Sequence, residues 1–313
     1  MSVAFSKIAI VGPGAIGLYY GTLLALAGAE VRFLLRSDLA TVRARGITVR
    51  VGDRTLRIPP ERVGAFGRPA EIGPVDLVVV TLKTTANDQL ATLLPPLLGP
   101  QTAILTLQNG LGADELLAAH FGAERVLGGL SFIASNRVAP GEVVCFHPGS
   151  ITLGEFGRPA GERARALAAQ FEQAGVKCSV VDNLREARWR KLIWNVPFNG
   201  LAIATGGLTT DRLLADPQLA AEVRALMDEL AAAARAQNMD IPEAFLQEMI
   251  DVTPGLGAYK PSSLLDWLAG REVEVEAIWG EPLRRARAAG ADTPRLALLY
   301  AQIRQQVAGA ARR

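Results

Sequence analysis

Residues 7–17 read K-I-A-I-V-G-P-G-A-I-G, an apolar run that passes straight into a glycine-rich turn. Lys7 to Val11 is a short apolar run, the pattern of a strand buried in a parallel sheet. It enters Gly12-Pro13-Gly14-Ala15-Ile16-Gly17, and Leu18 to Ala27 follows as a good helix former that Gly28-Ala29 ends. Glu30 to Leu35 is a second strand. A strand, a G-x-G-x-x-G turn, a helix and a strand within about 30 residues make the unit that binds dinucleotides. Gly12 permits the tight turn, Gly14 lets the backbone approach a pyrophosphate, and Gly17 lets helix and strand pack closely. The helix N-terminus adds free N–H groups and a partial positive charge for the phosphates. By itself the six-residue pattern is weak; directly after a buried strand it is specific.

The end of the second strand discriminates between cofactors. An acidic residue there accepts from the ribose 2′-hydroxyl of NAD, whereas an arginine favours the 2′-phosphate of NADP. The chain has Leu35-Arg36-Ser37, which predicts NADP(H). Asp38 is the competing acidic residue, with N-capping of a helix from Leu39 as its alternative role.

Residues 46–58 alternate apolar and polar around Gly52-Asp53, a hairpin signature. Asp76 to Lys83 reads as another buried strand with Lys83 at its carboxyl end, where ligands of open α/β sheets collect. A solvent-facing loop lysine is the alternative. Thr102 to Leu107 is the next strand, followed by Gln108-Asn109-Gly110. Asn-Gly is first a turn signal, but Asn109 is also placed to bond a ribose or nicotinamide. Val126 to Ala134, Glu142 to Phe146, Ser150 to Leu153 and Val176 to Val181 read as further strands, with a helix over 161–174. From Asn183 onward the strand signals stop and Ala/Leu-rich helices take over. An α/β domain over residues 1–182 and an all-α domain over 183–313 are therefore expected.

The second domain opens with Trp189 to Asn199, W-R-K-L-I-W-N-V-P-F-N. Lys191, Asn195 and Asn199 recur every four residues and so form one stripe, about 40° of helix rotation apart. The remaining residues are mostly apolar, as in a buried helix. An ammonium and two amides on such a helix need partners; a polar substrate or structural hydrogen bonds would serve. Farther on, Ser262 is placed to cap a helix from Ser263. If Glu272, Glu274 and Glu276 lie on a helix, successive ones are about 200° apart and cannot all face solvent. An inward carboxylate needs a cation, for which Lys191 is the natural candidate.

Composition bounds the alternatives. The chain has 313 residues, enough for two cores, and a formal net charge of +2 that carries no nucleic-acid signal. Cys145 and Cys178 are far apart and support no disulfide framework; with His120 and His147 they make no metal site. No run of about 20 apolar residues is present and no leader pattern precedes the first strand, so a cytoplasmic protein is expected. A homodimer is compatible with the sequence and not required by it.

Taken together, the chain resembles the ketopantoate reductase (2-dehydropantoate 2-reductase) family over essentially its full length. The resemblance rests on G-P-G-A-I-G, Leu35-Arg36, the T-L-K ending at Lys83, Q-N-G at Asn109, and K-L-I-W-N-V-P-F-N. It continues with K-P-S at Lys260 to Ser262 and A-G-R-x-x-E-V-E at Ala269 to Glu276. It implies a Rossmann-type domain plus an all-α domain of the 6-phosphogluconate dehydrogenase C-terminal type. It implies reduction of 2-dehydropantoate to (R)-pantoate, for pantothenate synthesis, by hydride from NADPH. Lys191 would then be the proton donor, and Glu274 the carboxylate near it and the nicotinamide ribose. Asn109, Asn195, Asn199 and Ser262 would hold substrate. Gly12 through Gly17 (including Pro13, Ala15 and Ile16), Arg36, Lys83, Asn109, Ala134 and Glu274 would hold the cofactor.

The chain departs from the family pattern at Ala86-Asn87, where a Gln often stands three residues past the lysine. It departs again at Trp279, in place of the usual Asn, and at Pro197, which should kink the helix. Trp279 and Pro197 are positions that would reshape a substrate pocket. Two other functions compete: reduction of a different bulky 2-oxo acid or ketone, and a non-catalytic NADP-binding sensor. The intact set of Lys191, Asn195, Ser262 and Glu274 argues against the sensor.

Overall fold

The computed structural model describes residues 4–310. The chain divides into two compact units: the residues up to Gln108 together with Ala113–Leu184, and Asn109–Gly112 together with the chain from Arg185 onward.

The first unit is a ten-stranded mixed sheet, counted among the described residues. Its strands are β1 (Lys7–Val11), β2 (Glu30–Leu34), β3 (Ile47–Val51), β4 (Arg54–Ile58), β5 (Gly64–Phe66), β6 (Val75–Val80), β7 (Leu98–Thr106), β8 (Val126–Ala139), β9 (Glu142–Glu155) and β10 (Lys177–Val180). The spatial order is β4-β3-β9-β8-β7-β6-β1-β2-β5, with β10 on β9. The run from β5 through β2, β1, β6 and β7 to β8 is parallel. Helices α1 (Ala15–Leu26), α2 (Leu39–Arg45), α3 (Pro69–Ile72), α4 (Leu90–Leu93), α5 (Ala113–Phe121) and α6 (Glu162–Gln173) complete the unit.

Strand β1 is buried on both faces, as its unbroken apolar run requires. Ile8 and Ile10 join one core with Leu18, Phe33 and Phe171, while Ala9 and Val11 join another with Val78, Leu90 and Leu117. From β1 the chain goes to β2 on one side and later to β6 on the other, which makes the β1 carboxyl end a topological switch point. Val11 pairs with Leu34 and with Val80, and Val80 with Thr106. The segments leaving these four strands therefore emerge along one rim.

Some strand limits differ from the expected ones. Strand β6 ends at Val80, so Lys83 lies in a loop and not at the strand end; it precedes a 3-10 turn over Thr84–Gln89. The segments over 126–134, 142–146 and 150–153 belong to two long strands, because the ladder tolerates irregular register around Ala134 and His147. Gly149, with φ of +57°, accommodates that irregularity. Strand β5, three residues long, is too short to leave a periodic signal.

The second unit consists of α7 (Leu184–Ala204), α8 (Thr210–Ala215), α9 (Pro217–Arg235), α10 (Glu243–Val252), α11 (Ser262–Leu268), α12 (Glu281–Ala288) and α13 (Pro294–Ala310), with a π-helical turn over Glu276–Gly280. Its core gathers Trp189, Leu192, Ile193, Val196 and Phe198 of α7 around Leu226, Trp279 and Leu296. The helix continues through Pro197 as one element from Leu184 to Ala204. Residues 271–274 are not helical, which corrects the helical reading of the three glutamates: Glu272, ahead of the π turn, and Glu276, its first residue, are exposed, and Glu274 is half-buried. The four residues 109–112, expected in the first domain, join the second unit because Leu111 is buried in its core and donates from its backbone to Ala277 O at 2.9 Å. No helix among the described residues is long and apolar enough to cross a membrane.

Candidate active site

In the first unit the glycine loop has the shape its chemistry demands. Gly12 sits at φ +81°, and a Cβ there would come within 2.6 Å of the Leu82 backbone nitrogen. A Cβ on Gly17 would lie 2.4 Å from Thr81 Oγ1 and 2.9 Å from Ile10 Cγ2, so helix α1 rests directly on the strands. Thr81 fixes the turn from the other side, its hydroxyl donating to Gly12 O at 2.8 Å. At Gly14 the nearest atom to an added Cβ is 4.0 Å away, which leaves the approach to the α1 N-terminus open. The space is closed beside Gly12 and Gly17 and left clear at Gly14. The residues present therefore fit a bound pyrophosphate.

The acidic competitor for the ribose is committed elsewhere. Asp38 is 4% exposed and accepts from Arg137 Nη1 at 2.7 Å, from Gly141 N at 3.3 Å and from Ser37 Oγ at 2.9 Å. It makes no side-chain cap on α2. Its neighbour Arg36 is exposed at the end of β2 and, among the described residues, forms no hydrogen bond or ion pair. An unengaged guanidinium beside a neutralised carboxylate suits a 2′-phosphate. Arg137, which engages Asp38, carried no sequence signal, since it lies 99 positions away.

The loop carrying Lys83 is held by Gln108, whose Nε2 donates to Leu82 O at 2.9 Å and to Asn87 Oδ1 at 2.7 Å. Asn87 thus ties down the loop that Ala86 cannot. Ala134 lies on β8 opposite His147, half-buried.

The remaining candidates lie in the second unit, on α7, on α11, in the 109–112 segment and in the segment before the π turn. Lys191 Nζ, on α7, donates to Asn109 Oδ1 at 2.8 Å. Burial pushes the Lys191 pKa down to about 7; the Arg188 guanidinium, one helical turn earlier, adds to the effect, and the Glu274 carboxylate opposes it. The lysine keeps some exposed surface all the same. An amine with a pKa near neutrality is matched to proton transfer at neutral pH.

The two asparagines of the stripe have different fates. Asn195 is half-buried, and its side-chain amide forms no hydrogen bond among the described residues. Asn199 is 1% exposed; its Nδ2 donates to Asn195 O at 3.0 Å and its Oδ1 accepts from Ser263 N at 2.8 Å. In this arrangement Asn199 ties α11 to α7 and is not directed at a ligand. The same bond corrects the expected capping: Pro261 occupies the cap position, Ser262 is the first helical residue, and Asn199 satisfies the Ser263 amide. Ser262 is exposed, its hydroxyl unengaged among the described residues. Trp279 is fully buried and donates to Val196 O at 3.0 Å, so it fills the core and does not line a pocket.

A Rossmann unit with an open glycine loop and an unengaged arginine beyond its second strand, in one chain with a helical unit built around a lysine of lowered pKa, has the parts of a nicotinamide-dependent oxidoreductase. Comparison with known proteins narrows the class. The model of the family "Ketopantoate reductase PanE/ApbA" matches residues 8–158, and that of its C-terminal domain matches residues 183–307. A 2-dehydropantoate 2-reductase of Nostoc sp. is 38% identical over 303 residues, 95% of this chain and 94% of that protein. The crystal structure of 2-dehydropantoate 2-reductase from Geobacter metallireducens superposes with a TM-score of 0.92 at 44% identity, covering 96% of this chain and 99% of the other. That from Methylococcus capsulatus has a TM-score of 0.90 at 34% identity, covering 97% and 98%. The chain belongs to the ketopantoate reductase family.

Proposed function

We propose that the protein reduces 2-dehydropantoate to pantoate with NADPH, the hydride going to the ketone carbon and the proton to its oxygen from Lys191. The observation that carries this reading is the Lys191 ammonium, bonded to Asn109 and poised to lose its proton near pH 7. NADPH, when bound, supplies the hydride. Gly12 to Gly17 and Arg36 would hold its phosphates, with Lys83 and Ala134 as further contacts. Protonated Lys191 stabilises the negative charge that develops on the substrate oxygen and then neutralises it. Glu274 favours the charged lysine, and Asn109 orients it. Asn195 and Ser262, both with unengaged polar groups, are the candidates for the substrate's carboxylate and hydroxyl. As part of the same reading the enzyme works in the cytoplasm on a small-molecule 2-oxo acid, and a homodimer is the assembly to test by light scattering.

The test is NADPH consumption with 2-dehydropantoate against a panel of other 2-oxo acids. Turnover of 2-dehydropantoate well above the panel is the expected result. Good turnover of another acid with none of 2-dehydropantoate would shift the substrate assignment. Binding of NADPH with no turnover of any acid would favour a sensor.

A further inference from the structure

Lys191 is held by a residue whose own position depends on its neighbour. Gly110 follows Asn109 at φ +81°, a backbone conformation that L side chains rarely adopt. A Cβ on Gly110 would lie 2.3 Å from Ala277 O and 2.4 Å from Ala277 C, and both are backbone atoms that cannot swing aside. One residue later, Leu111 N donates to that same Ala277 oxygen at 2.9 Å. Ala277 in turn belongs to the π turn over Glu276–Gly280, and Ile278 N, within the same turn, reaches back to Glu274 O at 3.1 Å. π turns inside helical proteins recur at functional sites. Here the turn presents one carbonyl to the 109–112 segment, and the residue that directly precedes this contact bonds the Lys191 ammonium.

We propose that Gly110 is a positioning residue for the proton donor: only a residue without a Cβ lets the 109–112 turn seat on the Ala277 carbonyl, and that seating places Asn109 Oδ1 on Lys191 Nζ. The consequence is specific. A carbonyl oxygen that accepts from an ammonium favours the charged form. Unseating the turn withdraws that oxygen, so Lys191 loses its proton at lower pH and reduction fails earlier on the alkaline side. The proposal rests on Lys191 as the proton donor, and its test separates the two ideas.

The experiment measures kcat and kcat/KM for 2-dehydropantoate with NADPH from pH 5.5 to 9.5 in the full chain. It compares wild type, Gly110→Ala, Gly110→Asn, Gly112→Ala, Asn109→Ala and Lys191→Ala. Gly110→Asn tolerates the positive φ better than Ala while keeping the clashing Cβ. Gly112→Ala is the control: it carries the same kind of φ, +98°, but the nearest atom to its Cβ is Glu281 Cγ at 3.8 Å. Both Gly110 variants should lose about 10- to 100-fold in kcat. Their alkaline limb should move down by about one pH unit, in the direction of Asn109→Ala. Gly112→Ala should keep the wild-type limb. A wild-type limb in whichever Gly110 variant folds, or a Gly112→Ala limb displaced equally, overturns the positioning role. If Asn109→Ala leaves the limb in place, the link from turn to lysine is overturned even should neither Gly110 variant fold. If Lys191→Ala retains full turnover, the proton-donor reading itself fails.

Discussion

Lys191 Nζ bonds Asn109 Oδ1 at 2.8 Å although 82 positions separate the two residues. The lysine sits on a helix that is otherwise core, and the asparagine on a turn that folds with that helix and not with the strand preceding it. Desolvation and the nearby Arg188 make the charged amine costly, while Glu274 and the Asn109 oxygen keep it accessible.

The pH dependence follows with a definite sign. Lys191 has its folded pKa pushed down to about 7, and in the proposed mechanism reduction uses the protonated form. kcat/KM should be level below that value and fall about tenfold per pH unit above it. Glu274→Gln removes the attraction that raises the pKa, so its limb should appear at lower pH. A wild-type profile flat to pH 9 would contradict the assignment.

Cofactor choice should depend on Arg36 and not on Asp38. Arg36→Ala should weaken NADPH binding about 10- to 100-fold and leave NADH nearly unchanged, as expected for a lost charge-assisted contact. Fluorescence titration with both cofactors measures this. Asp38→Asn should leave the preference intact but cost stability, about 1–3 kcal/mol by urea unfolding, because it breaks the Arg137 pair.

Two neighbouring glycines should fail in different ways. Gly17→Ala drives a Cβ to 2.4 Å from Thr81 Oγ1, an overpacking that costs about 1–3 kcal/mol. Gly14→Ala has room in the free protein and should keep the melting temperature, while its methyl group obstructs the phosphates and raises the NADPH Kd at least about tenfold. Equal loss of stability in both would contradict the division of labour.

Asn195 and Asn199 should likewise separate. Asn199→Ala deletes the partner of the buried Ser263 amide and should destabilise the fold by about 1–3 kcal/mol. Asn195→Ala should leave unfolding unchanged and raise KM for the oxo acid. Steady-state kinetics beside urea melts distinguish the two outcomes.

The legible part of the molecule was whatever local period or local chemistry dictates. An unbroken apolar run before G-x-G-x-x-G can satisfy its backbone and side chains only as a buried strand feeding a helix, so the Rossmann unit was readable from 11 consecutive residues. The Lys191 stripe was readable because a four-residue spacing puts side chains on one helix face, whatever surrounds them. The same spacing could not say that Asn195 remains unengaged while Asn199 caps a helix 64 positions away. Nor could it say that Trp279 is core, that Arg137 neutralises Asp38, or that residues 109–112 leave the sheet to seat on the Ala277 carbonyl. Those decisions belong to the tertiary structure alone. A buried polar group takes whichever partner the packed chain brings to it, and an alternating triple of glutamates becomes one half-buried and two exposed carboxylates only once the backbone before the π turn leaves the helix.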